Sequence, residues 1–263
     1  RSARFVGMVL LMIGLMTAGT SLLFAQTNLK FAHESPTSNA RHKAAMFFAE
    51  QVAKNSGGKA KVVVYHSGQL GGERQLIEAL SLGGIDFTVA GAGMFAAYAP
   101  ALELIEMPYL FPSYEKAHEV IDGPFGKKLT EPLKNKNIEF LAFWENGFRH
   151  VTNNVRPIVN PEDLKGVKIR TNKSKMRMET FKAYGSTPVP IDFPELYMAM
   201  SQGVVDGQEN PLSNIYPSKF YEVQKYLSLT GHVYGALPMA ASGTTWKKLS
   251  SELKDAIQKS SIE

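Results

Sequence analysis

Three residues far apart in the chain have the chemistry to hold a carboxylate. They are Arg149 in Gly147-Phe-Arg-His, Arg170 at the end of Pro161-Glu-Asp-Leu-Lys-Gly-Val-Lys-Ile-Arg170, and Asn210 in Gln208-Glu-Asn-Pro211. A guanidinium is always charged, planar and forked, so it meets a carboxylate through two parallel hydrogen bonds, which an ammonium group cannot do. Strand alternation puts Val167 and Ile169 on one face and Lys168 and Arg170 on the other, so Arg170 is free to leave the packed layer. The competing reading is a surface arginine in a rim ion pair of little energetic consequence. Pro211 suits the first position of a helix whose N-terminal amides favour an anion, and Asn210 there either serves that anion or is an ordinary N-cap.

Other chemistries find little support. The sequence has no Gly-x-Ser-x-Gly elbow, no His-Glu-x-x-His helix, no Walker loop and no dinucleotide glycine fingerprint. It has no cysteine, which removes thiol catalysis, disulfides and lipid modification at cysteine. His33, His42, His66, His118, His150 and His232 are scattered without ligand spacing, so no metal is expected. Asp86 and Asp206 could be taken for a catalytic carboxylate pair, but each follows a helix-ending glycine in the same local context, which favours a shared structural role. No catalytic residue, metal or cofactor is expected.

The elements that would position these groups read as an α/β chain. With 44% hydrophobic and 20% charged residues over 263 positions, there is material for a sizeable core and for two lobes. Strands are expected over Leu29 to His33, through Val62-Val63-Val64, over Ile85 to Val89, Ile138 to Phe143 and Phe148 to Thr152, with an extended path from Leu227 to Val233. Helices are expected over Ala40 to Asn55, Gly71 to Leu82, Tyr114 to Ile121 and Gly126 to Lys134. A last helix from about Thr244 would carry Trp246, Leu249, Leu253, Ala256 and Ile257 on one side. The series Leu76, Ala79, Ser81, Gly83, Asp86 returns as Leu196, Ala199, Ser201, Gly203, Asp206, which fits either a duplicated lobe or shared helix-to-strand chemistry. The extended segments around Asn146-Gly147 are candidate crossings between lobes, and a cleft there could close over a ligand.

The charge of +5 includes Arg1 and Arg4, leaving 5 − 2 = +3, a weak bias toward anions. No basic run is interleaved with aromatics, so nucleic acid is not an expected partner. Arg1 and Arg4 precede an apolar run from Phe5 to about Ala25, the order of a secretory signal peptide cleaved after Ala25, with an uncleaved membrane anchor as the alternative because Leu23 stands at the minus-three position, where a small residue is preferred. Export to the periplasm is expected, and Arg rather than Met at position 1 suggests a fragment.

In order along the chain stand Leu29-Lys-Phe-Ala-His33, Gly68-Gln-Leu-Gly71, Met107-Pro-Tyr-Leu-Phe111, Asn146-Gly-Phe-Arg149, Arg156-Pro157, Asp163-Leu-Lys-Gly166, Lys168-Ile-Arg170, Glu195-Leu-Tyr197 and Val205-Asp-Gly-Gln-Glu-Asn-Pro211. This series resembles the extracytoplasmic solute-binding proteins of tripartite ATP-independent periplasmic (TRAP) transporters, over almost everything after the leader. The resemblance implies a two-lobed periplasmic-binding-protein fold with a mainly parallel sheet in each lobe. It divides the chain into a leader at 1–25, a first lobe of 26–146 plus 236–263 and a second of 147–235, with further C-terminal helices in family members. It further implies a monomer that binds an organic acid, either a C4-dicarboxylate or a sugar acid such as a uronate or aldonate, and hands it to a membrane permease.

Carried over residue by residue, Arg170 makes the principal two-pronged salt bridge to the ligand carboxylate, Arg149 adds a contact, and Asn210 donates a hydrogen bond. Phe193 matches an aromatic lining the family's cleft, though an aromatic before a helix also serves as core or as a hydrophobic staple. Glu34 and Glu73 match positions of specificity groups that accept from ligand hydroxyls, with solvated helix-terminal charge as the alternative. Glu34 stands where sialic-acid-binding relatives have asparagine, which disfavours that ligand. Other roles to weigh are a ligand sensor for a signalling receptor and an enzyme acting on an organic acid.

Overall fold

A computed structural model describes residues 26–263, so the expected leader lies outside the described residues. Nine strands form a sheet in the order β2-β1-β3-β9-β4-β7-β5-β6, with β8 beside β4. The chain order begins β1 (Thr27–Ala32), α1 (Ala40–Asn55), β2 (Ala60–Tyr65), α2 (Glu73–Leu82) and β3 (Phe87–Val89). Helices α3 (Tyr114–Ile121) and α4 (Pro124–Lys134) precede the long β4 (Ile138–Asn153). Then come β5 (Lys168–Thr171), α5 (Lys175–Ala183), β6 (Thr187–Pro190), α6 (Leu196–Ser201), β7 (Gly207–Pro211) and α7 (Leu212–Ile215). β8 (Tyr226–Ser228), β9 (Tyr234–Ser242), α8 (Gly243–Lys248) and α9 (Ser251–Ile262) complete it.

The same unit occurs twice. β1 pairs in parallel with β2 and β3, and β5 pairs in parallel with β6 and β7, each with a helix between successive strands. The repeated aspartates explain the echo in the sequence. The Lys30 N–H donates to Asp86 Oδ2 at 2.7 Å while the Asp86 N–H donates back to the Lys30 carbonyl at 3.0 Å. Lys168 and Asp206 repeat this pair of bonds at 2.8 and 2.9 Å. Gly83 and Gly203 precede them with φ of 83° and 69°, the left-handed turn that glycine adopts without a Cβ penalty.

β4 joins the two units. It runs antiparallel to β9 through Phe148 and to β7 from Arg149 onward, with irregularities at Phe140/Ala142 and Glu145/Gly147. All nine residues of β9 are buried. Leu29, Phe31, Phe48 and Met239 pack on one face of the first unit and Leu76, Leu80, Phe95 and Ala240 on the other. The second unit has smaller clusters around Leu196 and Met200 and around Ile169 and Phe181.

Two expectations differ from what is seen. The last helix is two helices, because Leu249 is extended and the Ser250 hydroxyl caps a new start by accepting from the Leu253 N–H at 3.3 Å. Leu249, Leu253 and Ile257 still share one cluster, so the apolar stripe survives the break. The extended path of 227–233 is β8 followed by a turn into β9.

Candidate functional site

β5 ends at the join between the two units, and this places Arg170 in a cavity whose lining includes Glu34, Glu73, Arg149, Phe193 and Asn210. All six residues singled out in the sequence therefore meet in one place.

Arg170 is 2% exposed. Its Nε donates to the Ile191 carbonyl at 2.7 Å, and its guanidinium lies 5.9 Å from the centre of the Phe193 ring. Among the described residues it has no carboxylate partner, so its two terminal nitrogens remain for the cavity. Phe193 opens a 3₁₀ turn rather than preceding a long helix, and it packs on Phe220 while forming a cavity wall.

Arg149 is committed differently. Its Nε donates to Glu209 at 2.5 Å, and its Nη2 donates to the same carboxylate at 2.9 Å, to the Glu209 carbonyl at 2.7 Å and to Asn210 Oδ1 at 3.0 Å. Glu209 is fully buried and also accepts from Arg177 at 3.3 Å. Burial opposes its ionisation, but Arg149 and Arg177 outweigh that and hold the carboxyl well below the usual range. Arg177 continues to Glu106 at 2.9 Å. Arg149 and Arg177 thus stand in a self-neutralised network, whereas Arg170 does not.

Asn210 is not a helix cap. It lies within β7, and Pro211 rather than Asn210 precedes the single turn α7. Asn210 Oδ1 accepts from Arg149 Nη2 and from Asn214 Nδ2, both at 3.0 Å, and its Nδ2 donates to Gln208 Oε1 at 2.5 Å, which leaves one amide N–H over.

The far side of the cavity is acidic. Glu73 occupies the first position of α2, yet it is buried and accepts from Arg41 at 2.8 Å and from the Gly91 N–H at 3.2 Å, so it is not a solvated terminal charge. Glu34, just past β1, is 6% exposed and has no hydrogen-bond partner among the described residues. Burial first, and then the Glu73 carboxylate, pushes its pKa up to about 8. Four arginines (Arg41, Arg149, Arg170, Arg177) thus face four glutamates (Glu34, Glu73, Glu106, Glu209), and with Glu34 neutral the balance is 4 − 3 = +1.

Sequence reasoning missed Arg41, Glu106, Arg177 and Asn214. Glu209 lay inside a quoted motif, and the signal was there: three successive polar residues, Gln208 to Asn210, in a strand whose residues are all buried. The histidines are less scattered than their spacing suggests, since the rings of His33 and His42 lie 5.3 Å apart and tilted, and those of His42 and His66 5.2 Å apart and edge to face. No group of metal-binding side chains is present among the described residues.

A family model described as bacterial extracellular solute-binding protein, family 7, matches residues 31–263. The 2,3-diketo-L-gulonate-binding periplasmic protein YiaO of Escherichia coli (strain K12) is 36% identical over 260 residues, covering 99% of this chain and 79% of the relative. A TRAP periplasmic solute-binding protein from Polaromonas sp. JS666, bound to D-erythronate, superposes with a TM-score of 0.86 at 40% identity, over 90% of this chain and 80% of that one. One from Sulfurospirillum deleyianum with bound succinate gives 0.86 at 35%, over 90% and 77%.

Proposed function

This chain belongs to family 7 of the bacterial extracellular solute-binding proteins, and from that premise we propose that it is the periplasmic binding component of a TRAP transporter. It captures a monoanionic, hydroxyl-rich acid between its lobes and delivers it to a membrane permease, without chemistry on the ligand. Export by the N-terminal leader belongs to the same proposal.

The observation that carries the ligand class is the single uncommitted guanidinium of Arg170 opposite the Glu34 and Glu73 carboxyls. One acid headgroup satisfies Arg170, while a second carboxylate would be driven against Glu73, whose ion-pair partner among the described residues, Arg41, is already engaged with it. Hydroxyls fit that end, because they donate to Glu73 and both donate to and accept from a protonated Glu34. In support, the Polaromonas protein holds D-erythronate and the Escherichia coli relative is named for a sugar acid, whereas the Sulfurospirillum protein holds succinate, so ligand class varies within the family.

Calorimetry with D-erythronate and succinate tests the reading. Erythronate is expected to bind more tightly than succinate, and Arg170→Ala to weaken it by about 2–5 kcal/mol, since a desolvated carboxylate loses its charged partner. Arg170→Lys is expected not to restore affinity, because an ammonium lacks the fork. Preference for succinate would overturn the ligand class, unchanged affinity in either variant would overturn the role of Arg170, and conversion of the acid during incubation would overturn binding without chemistry.

A further inference from the structure

Six side chains in and behind the cavity form a chain of hydrogen bonds that all point the same way. Asn39 Nδ2 donates to Asn214 Oδ1 at 2.9 Å, and Asn214 Nδ2 donates to Asn210 Oδ1 at 3.0 Å. Asn210 Nδ2 donates to Gln208 Oε1 at 2.5 Å, and Gln208 Nε2 to Thr152 Oγ1 at 2.9 Å. Thr152 Oγ1 donates to Gln224 Oε1 at 2.9 Å. All six are less than a tenth exposed.

Backbone groups fix the direction at both ends. Asn39 caps α1, and its Oδ1 must accept because its partner is the Arg41 N–H at 2.8 Å. Its Nδ2 is therefore the end turned toward Asn214 and the Ser213 carbonyl. At the other end Gln224 Nε2 must donate, because its partners are the Val223 and Asp206 carbonyls. A flipped amide at any intermediate position would set oxygen against oxygen or N–H against N–H inside the protein, where an unmet polar group is costly.

Asn39 belongs to the unit of β1 to β3, and the other five belong to β4, β7, α7 and the turn before β8, so the first bond crosses the cleft. We infer that Asn39 and Asn214 are positioning residues that tether the Asn210 side chain to the first unit when the lobes close, so that the amide whose orientation Arg149 already fixes is held in place against the acid. This rests on the reading of the cavity as an acid-binding site. Loss of the relay leaves encounter with the acid intact and hastens its escape, because bonds that Asn39 makes across the cleft are gone.

The test measures association and dissociation of D-erythronate by stopped flow on wild type, Asn39→Ser, Asn214→Ala and the double variant. Serine caps a helix about as well as asparagine but is too short to reach Asn214, so Asn39→Ser keeps the cap of α1 and loses only the bonds to Asn214 and the Ser213 carbonyl. Each single variant is expected to raise the dissociation rate constant ~10-fold with association within ~2-fold, and the double variant also ~10-fold, since both cut one chain. Unchanged dissociation in Asn39→Ser, or a ~100-fold effect in the double variant as independent sites would give, would overturn the inference while leaving acid binding in place. A wild-type protein that binds neither D-erythronate nor succinate would instead overturn the reading of the cavity.

Discussion

Glu34 is the residue whose state depends most on its surroundings. It is buried beside the Glu73 carboxylate, and its pKa stands at about 8 in the folded protein against an ordinary 4.5. Between those values the folded chain keeps a proton that the unfolded chain releases. Unfolding then sheds a proton, and stability from this group falls as pH rises from about 4.5 toward 8. Glutamine has nearly the same shape and stays neutral, so the melting temperature of unliganded Glu34→Gln should fall less than that of wild type between pH 5 and pH 8. Parallel curves for the two proteins would show that Glu34 ionises as freely when folded as when unfolded. The place of Glu34 was implied by the resemblance, but its neutrality was not legible, because that comes first from burial and then from Glu73, on a different element 39 residues along (73 − 34).

At the scale of elements, local chemistry was enough wherever periodicity and punctuation agreed. α1 spans Ala40–Asn55 and α3 spans Tyr114–Ile121, both at the expected bounds, with Asn39 and Ser113 as side-chain caps. β4 was read as two extended segments around Asn146-Gly147 and as a candidate crossing between lobes, and it is one continuous strand, irregular at Gly147 with φ 101°, that passes from one unit to the other. The buried network of Arg149, Glu209, Arg177 and Glu106 was not legible, since pairing across 32 residues or more leaves no mark in spacing. The repeat, by contrast, was visible, and its aspartates make a prediction. Asp206 is the acceptor that ties α6's following turn to β5, so Asp206→Ala leaves the Lys168 N–H without its partner. A loss of about 1–2 kcal/mol is expected in urea unfolding, with erythronate affinity kept. Asp86→Ala should cost at least as much, because Asp86 also accepts from the Thr245 hydroxyl. No loss in either variant would mean that the aspartates merely accompany the fold.

For the molecule as a whole, the question is what holds the two units together around a cavity rich in charge. Glu106 follows β3 on the side of the first unit, and Arg177 sits on α5 between β5 and β6, so their 2.9 Å ion pair spans the cleft with both residues 2% exposed. Glu106 Oε1 also accepts from the Gly93 N–H at 3.1 Å, which fixes the carboxylate to its own unit. Surface ion pairs add little, but removing one partner of a buried pair leaves an uncompensated charge at a cost of about 3–5 kcal/mol. Arg177 keeps Glu209, so Glu106→Gln falls toward the lower end, about 3 kcal/mol in urea unfolding. The same change turns the cavity one charge more positive, which favours an acid, while it weakens the closed arrangement. Erythronate affinity should therefore change less than stability does. A variant as stable as wild type would place the cohesion of the two units in β4 and β9 alone, and the charged network would then serve only to orient Arg149.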